Sequence, residues 1–323
     1  MEKHFSPIVL FVYNRPEHTK KTLEALVKNE LSEYSDLYIY ADGPKDNATD
    51  EQIGKIEETR LICKSIKGFK SICILESEKN KGLAQNIITG VTDIVNKYGR
   101  VIVLEDDIIT AKYFLTYMNR ALEKYENYDK AYAISGWYYP IESDKNDAFF
   151  LSNFNCWGWA TWKSKWSCFK KDATYYKQVF TKQQRYKFNL DGVWDYWSQI
   201  EDNYEKIINT WFIFWYASAF LYGGLCLYPS RSLVKNDGCD GTGEHCNVSF
   251  FDDYCSDDFE IESFPDECSE NIENKEKLKI YLKKINSKFR FRTLLRNFLR
   301  KIKLYGIIRI FYMKIKKHLI LKH

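Results

Sequence analysis

Three carboxylates in succession, Glu105, Asp106 and Asp107, close the apolar run Val101–Leu104. Adjacent carboxylates repel one another, so a trio ending a core strand is costly unless a cation or hydroxyl groups share it. A hard divalent ion with oxygen ligands, also touching a diphosphate, meets that need; a solvated strand end is the plain alternative. Two further motifs follow apolar runs in the same way. In Asn14-Arg15-Pro16, Pro16 suits the first turn of a helix and places Arg15 at that helix's N-terminus, where phosphate is favoured. Ala41-Asp42-Gly43-Pro44 reads as a turn that exposes one acid.

The second half of the chain carries aromatic chemistry. Cys156-Trp157-Gly158-Trp159-Ala160-Thr161-Trp162 gathers three indoles around a glycine, and flat rings with a polar edge suit sugar faces; ordinary core packing is the alternative for each ring. Gly192-Val193-Trp194-Asp195-Tyr196-Trp197 sets one acid among aromatics at a helix start, where it can serve as a base or as an N-cap. Lys235 to Cys246 holds three glycines and reads as a lid. Cys239, His245 and Cys246 within it lack a fourth ligand at zinc-finger spacing.

The elements that must position these residues are legible as hydrophobic periodicity. Pro7–Tyr13, Asp36–Ala41, Ser71–Glu76 and Arg100–Leu104 read as strands, separated by amphipathic stretches. On the third of these stretches Leu83, Ala84, Ile87, Ile88, Val91, Ile94 and Val95 fall on one face. A β/α alternation of this kind implies an α/β fold with a mostly parallel central sheet flanked by helices, whose ligands bind at the carboxyl ends of the strands. After Lys130 come short strands at Ala131–Ser135 and Phe149–Ser152, then Trp-rich loops and helices. An uncharged run of 24 residues between Lys206 and Arg231 is long enough for a membrane span, but Gly223, Gly224, Pro229 and the polar Asn209, Thr210 and Ser218 break it up, so it reads as the end of a buried helix, Glu201–Leu221, and a strand, Leu225–Tyr228.

In order and spacing these motifs resemble the GT-A (Rossmann-like) superfamily of nucleotide-sugar glycosyltransferases, in particular bacterial family 2-like sugar transferases related to N-acetylglucosaminyltransferase I. The carriers are FVYNRP, YIYADGPKD, Asn80-Lys81-Gly82, VIVLEDDI, NCWGWATW, GVWDYW and NDGCDGTGEHC, spanning Ser6 to Cys246. The resemblance implies a nucleoside diphosphate donor, UDP-linked, held by Tyr13, Arg15, Asp42 and Lys81. Asp42 would accept from the base, and Glu105 or Asp106 would face the ribose. It implies Mn²⁺ or Mg²⁺ on Asp107, with His245 as a further ligand, an acceptor resting on Trp157, Trp159 and Trp197, and Asp195 as the catalytic base of an inverting transfer. The expected organisation is a GT-A domain over residues 1–250, split into a nucleotide-sugar half (1–130) and an acceptor half with lid (131–250), then an acidic linker (251–280) and a basic tail (281–323).

Composition agrees with a folded enzyme: 323 residues, 45% apolar and 17% aromatic, carry too much buriable surface for a disordered chain. Nine Cys without a CxxC pair encode neither a disulfide framework nor a zinc ribbon and fit a reducing cytoplasm, and the first residues do not read as a signal peptide. Lys283 to His323 contains 14 Lys and Arg and no acid, so within a net charge of +4 the other 282 residues carry −10. Apolar residues at Leu294, Leu295, Phe298, Leu299 and Ile302 alternate there with Arg and Lys, the pattern of a C-terminal basic amphipathic helical tail. Such a tail fits the surface of an anionic membrane better than nucleic acid, because no nucleic-acid module accompanies it; a helix packed on its own domain is the plain alternative. The resulting expectation is a cytoplasmic enzyme, peripheral on the inner face of a bacterial membrane, acting on a glycan or lipid-linked glycan such as a lipopolysaccharide or capsule precursor. A sugar-phosphate nucleotidyltransferase and a non-catalytic sugar-binding protein are the rivals.

Overall fold

The computed structural model describes residues 4–141, 143, 147–238, 255 and 259–287. Its strands are β1 (Ile8–Val12), β2 (Asp36–Ala41), β3 (Ser71–Glu76), β4 (Arg100–Glu105), β5 (Ile108–Thr110), β6 (Ala131–Ser135), β7 (Ala148–Leu151), β8 (Trp159–Trp162), β9 (Leu225–Pro229) and β10 (Val234–Asn236). Its helices are α1 (Pro16–Val27), α2 (Asp50–Ser65), α3 (Leu83–Tyr98), α4 (Phe114–Lys124), α5 (Lys163–Trp166), α6 (Ala173–Val179), α7 (Lys182–Phe188), α8 (Trp197–Tyr204), α9 (Phe212–Leu221) and α10 (Ile272–Ser287). The chain separates into two compact units, Met1–Phe169 with Ser218–Lys275, and Lys170–Ala217 with Glu276–His323.

The first unit is an α/β structure built on one sheet of order β3-β2-β1-β4-β8-β6-β9-β7. Four of its seven strand pairings are parallel. Every residue of β1 is buried, as the continuous Ile-Val-Leu-Phe-Val run requires of a strand covered on both faces. The α3 stripe behaves as its periodicity implies, burying Ala84, Ile87, Val91, Ile94 and Val95. Thr49 and Gln52 close a capping box at the start of α2. Since β1, β2 and β4 run parallel, their carboxyl ends share one edge of the sheet, and Arg15, Asp42 and the three acids lead out of it.

Three expectations are corrected. The NCWGWATW segment is not a loop throughout: Trp159–Trp162 forms β8, antiparallel to both β4 and β6, with Val103 facing Trp159 and Ile134 facing Ala160. The acidic stretch after residue 250 is not a free linker over its described part. Residues 259–270 lie along β7, through bridges from Asp147 to Ser263 and from Phe150 to Glu270, and bury Phe259 and Ile261. An edge strand presents unpaired backbone groups, and a covering segment satisfies them.

The third correction is that Glu201–Leu221 is two helices. Lys206 adopts φ 57°, and the Asn203 side chain accepts from Thr210 N at 3.0 Å and donates to Thr210 Oγ1 at 2.9 Å, folding the chain back between α8 and α9. A left-handed residue ends a helix, and here a lysine rather than a glycine takes that conformation. Among the described residues, no helix is long and apolar enough to cross a membrane.

The second unit is helical with an aromatic core. Phe188 stacks on Tyr216 at 4.2 Å between ring centroids, and Phe180 lies 5.2 Å from Trp197. From α10, Lys279 pairs with Asp191 at 3.1 Å and Asn286 donates to Val193 O at 3.1 Å. The expected boundary between linker and basic tail at 280/281 falls inside α10, which includes residues 281–287; the rest of the expected tail, 288–323, lies outside the described residues.

Candidate active site

The site in the first unit forms where β1 and β4 end. Pro16 opens α1, and Thr19 N closes its first turn on Arg15 O at 3.0 Å, which sets the Arg15 side chain at the helix N-terminus. Thr22, one turn further along, donates to Asp106 O at 2.8 Å and ties α1 to the acid motif. Arg15 Nη1 donates to Asp107 Oδ2 at 2.7 Å and reaches Asp106 Oδ1 at 3.5 Å. The three side chains are 13% (Arg15), 13% (Asp106) and 17% (Asp107) exposed, so this charge-assisted contact is shielded from water.

One arginine faces three acids, and the balance shows in their protonation. Burial, and then the charge of Asp107, push the Asp106 carboxyl up to about 7; the Tyr13 backbone amide hydrogen-bonds Asp106 and acts the other way, as does Arg15. Glu105 is driven well above the usual carboxylate range by burial, then by Asp107 and Asp106. The Cys156 thiol is raised by burial, then by Glu105 and Asp107, which places the start of the Trp157 loop within their field. A further cation would relieve this repulsion.

The donor set fits a hard divalent cation in kind: neighbouring carboxylate oxygens offered from one side, leaving the rest of the shell to substrate oxygens or water. Among the described residues, no three His, Cys, Asp or Glu surround one point as a complete cage. His245 lies outside the described residues.

The Lys235–Cys246 segment differs from the expected lid where it is described. Its start is β10, antiparallel to β5 with Asn236 facing Ile108. Asp237 N then donates to Asp107 O at 2.8 Å, Gly238 N to Asn236 Oδ1 at 2.8 Å, and Lys21 Nζ to Asp237 Oδ2 at 2.8 Å. Gly238 is packed so closely that a Cβ there would lie 2.0 Å from Asp107 Oδ2. Sequence reasoning missed Asn236 and Gly238 as parts of the site; the signal available was the Asn-Asp-Gly turn directly after a short apolar run.

Asp42 is placed otherwise than expected. Its carboxylate accepts from Gly43 N (2.9 Å), Lys81 N (2.9 Å), Gly82 N (3.0 Å) and Asn80 Nδ2 (3.0 Å), and the residue is 4% exposed. A carboxylate offers about four lone-pair sites, and all are taken, so none remains for a nucleobase. Asp42 instead staples the loop that leads into α3, whose N-cap Gly82 takes φ 77°. Lys81 is exposed, and Lys45 lies 5.8 Å over the half-buried Tyr13 ring.

The aromatic residues divide. Trp157 is half-buried, edge-on to Trp137 at 4.7 Å, and follows Cys156 in the field of the acids. Trp159, 1% exposed, belongs to the sheet core beside Trp166, so it offers no face to an acceptor. Trp197, 6% exposed, is enclosed in the second unit by Phe180, Phe188 and the guanidinium of Arg185, 4.4 Å from its ring. The acceptor contacts expected of these two rings give way to core packing, because each is covered on its faces.

In the second unit Asp195 Oδ1 accepts from Ser198 N at 3.1 Å and its backbone O accepts from Ser198 Oγ at 3.0 Å, which ties it to the first turn of α8, whose N-cap position is Tyr196. The chain before it is strained: Leu190, Asp191 and Gly192 take φ of 49°, 54° and 78° in succession. Non-glycine residues held there cost about 1–3 kcal/mol each, and such strain concentrates at functional segments.

No family model matches the chain, and no curated protein sequence matches it. Solved structures that resemble it in part include the mannosyltransferase PcManGT from Pyrobaculum calidifontis in complex with GDP-Man and Mn²⁺, at 12% identity over 68% of this chain and 70% of that one, TM-score 0.37. The 1–349 piece of S. aureus TarS resembles it at 9% identity over 71% of this chain and 59% of that one, TM-score 0.39. An active-site mutant of LgtC does so at 7% identity over 68% and 72%, TM-score 0.36.

Proposed function

We propose that this chain is an inverting, metal-dependent glycosyltransferase of the GT-A type, which moves a hexosyl or N-acetylhexosaminyl group from a UDP-linked donor to a hydroxyl of a bacterial surface glycan. The observation that carries the reading is the acid cluster Glu105-Asp106-Asp107 at the carboxyl end of β4, joined to Arg15 at the N-terminus of α1. A helix N-terminus with an arginine binds a diphosphate, and carboxylates beside it hold the cation that such a diphosphate carries.

In this reading Arg15 and the first turn of α1 hold the donor's diphosphate, with Tyr13 and Lys81 on the nucleotide side. Asp107, together with His245, would hold Mn²⁺ or Mg²⁺, which when bound supplies positive charge against the leaving diphosphate. Trp157 gives the acceptor sugar a flat apolar face. Asp195 takes the proton of the acceptor hydroxyl as its oxygen bonds to the anomeric carbon and the bond from that carbon to the diphosphate breaks, so configuration inverts. The basic segment after residue 283 would hold the enzyme at an anionic membrane surface, within reach of lipid-linked acceptors.

The test is to incubate the full chain with Mn²⁺ and a panel of nucleotide sugars and to follow slow donor hydrolysis. Release of a nucleoside diphosphate and free sugar, lost in Asp107→Asn and lowered by about 10²- to 10⁴-fold in Asp195→Asn, is the expected result. Turnover that consumes or forms pyrophosphate instead would identify a nucleotidyltransferase, and no response to any nucleotide sugar would refute the enzyme reading.

A further inference from the structure

Arg15 and a divalent cation lay claim to the same oxygen. Oδ2 of Asp107 receives the 2.7 Å hydrogen bond from Arg15 Nη1, and Gly238 packs so close to the same oxygen that a Cβ there would lie 2.0 Å from it. A cation placed on Oδ2 would therefore stand against the guanidinium, and two positive charges in so shielded a place repel strongly. Arg15 has somewhere else to go. It stands at the N-cap of α1, whose first amides point out of the helix and favour an anion, so a diphosphate bound at that terminus would offer the guanidinium a second anionic partner.

We propose that Arg15 is a charge-exchange switch: it neutralises Asp107 until a divalent cation takes that carboxylate, and then turns to the donor's diphosphate, so that cation and donor bind cooperatively. This rests on the reading of Asp107 as the cation ligand. Each partner then removes an obstacle to the other, and by linkage the gain is the same whichever binds first. Arg15 is a positioning residue for the donor, and its cost to cation binding is the source of the coupling. The exchange also leaves the neighbouring carboxylates of Asp106 and Asp107 facing one cation in either state, guanidinium or metal.

The experiment measures Mn²⁺ binding to the full chain from the free-ion EPR signal, with and without UDP and, separately, GDP, for wild type, Arg15→Gln, Arg15→Lys and Asp107→Asn. Melting curves accompany each variant. Wild type is expected to bind Mn²⁺ weakly alone and at least about fivefold more tightly with the nucleotide. Arg15→Gln should bind Mn²⁺ alone at least about fivefold more tightly than wild type and gain little from nucleotide. Arg15→Lys keeps the charge but matches a carboxylate pair less well, so it should bind Mn²⁺ alone more tightly than wild type and retain part of the nucleotide gain. It carries the comparison if the glutamine variant does not fold. If both Arg15 variants bind Mn²⁺ alone no more tightly than wild type while Asp107→Asn abolishes binding, the exchange is overturned and the cation assignment stands. If Asp107→Asn binds Mn²⁺ as wild type does, the assignment of Asp107 fails, and the exchange with it.

Discussion

Replacing Gly238 with alanine adds one methyl group at the point where the turn after β10 meets the acid motif. The new Cβ would lie 2.0 Å from Asp107 Oδ2 and 2.7 Å from its Cγ, whereas ordinary contact begins near 3.4 Å. Something must therefore shift by more than an ångström, and the carboxylate is what the methyl group meets first. A shift of that size stretches the 2.7 Å bond from Arg15 beyond hydrogen-bond range. Gly238 does not have a positive φ, so alanine is conformationally acceptable there and the effect reports on contact alone. Overpacking of this kind costs about 1–3 kcal/mol of stability. The functional loss should be larger in proportion, because a displacement of about 1 Å at a reacting site can cost about a hundredfold in rate. Melting curves with and without Mn²⁺ and UDP measure both parts: Gly238→Ala should melt a few degrees lower and lose the ligand-induced rise. Gly54→Ala is the control, since its Cβ would meet nothing within 4 Å in the middle of α2 and should stabilise by about 0.5–1 kcal/mol. A Gly238→Ala protein with the wild-type melting temperature and a full ligand response would refute the packing of Gly238 against Asp107.

Asp42→Asn should lower stability in urea unfolding by at least about 2 kcal/mol, since hydrogen bonds to a charged acceptor are worth about 1.5–3 kcal/mol each and an amide cannot accept all four; unchanged stability with loss of nucleotide binding alone would return Asp42 to the role of base reader. Trp159→Ala should cost about 3–5 kcal/mol as a core truncation, and a variant that melts like wild type but binds acceptor poorly would contradict its burial. The Asp106 carboxyl, near 7 when folded against about 3.9 when unfolded, binds its proton more tightly in the folded state. Stability in EDTA should therefore rise as pH falls from 8 towards 5, and Asp106→Asn should flatten that slope; equal slopes for the two proteins would count against it.

Much of the scaffold was legible in the sequence. Asp36–Ala41, Ser71–Glu76 and Ala131–Ser135 are strands at the residues their apolar runs indicate, and α3 buries the face its 3.6-residue period defines. Chain-local hydrophobic patterning encodes which side of an element is buried, and a β/α alternation leaves few topologies open. The same reasoning put Arg15 and the three acids at strand ends, because polar groups that follow a buried parallel strand emerge at one edge of the sheet.

Only the tertiary structure decided which partners those groups have. The Asp42 carboxylate is filled by donors from Asn80, Lys81 and Gly82, about forty residues on, which no local pattern announces. The indoles of Trp157 and Trp159 stand two residues apart in one motif, yet one is half-buried near the acids and the other closed into β8, because β8 begins only at Trp159 and is enclosed between β4 and β6, whereas Trp157 lies in the segment before it. Asn203 and Thr210 break a helix that apolar composition alone would have continued. Gly238 is a glycine because of a carboxylate far away in sequence. Periodicity is a property of one element, whereas saturation of a hydrogen-bonding group, closure of a ring face and room for a methyl group depend on what the fold brings against it.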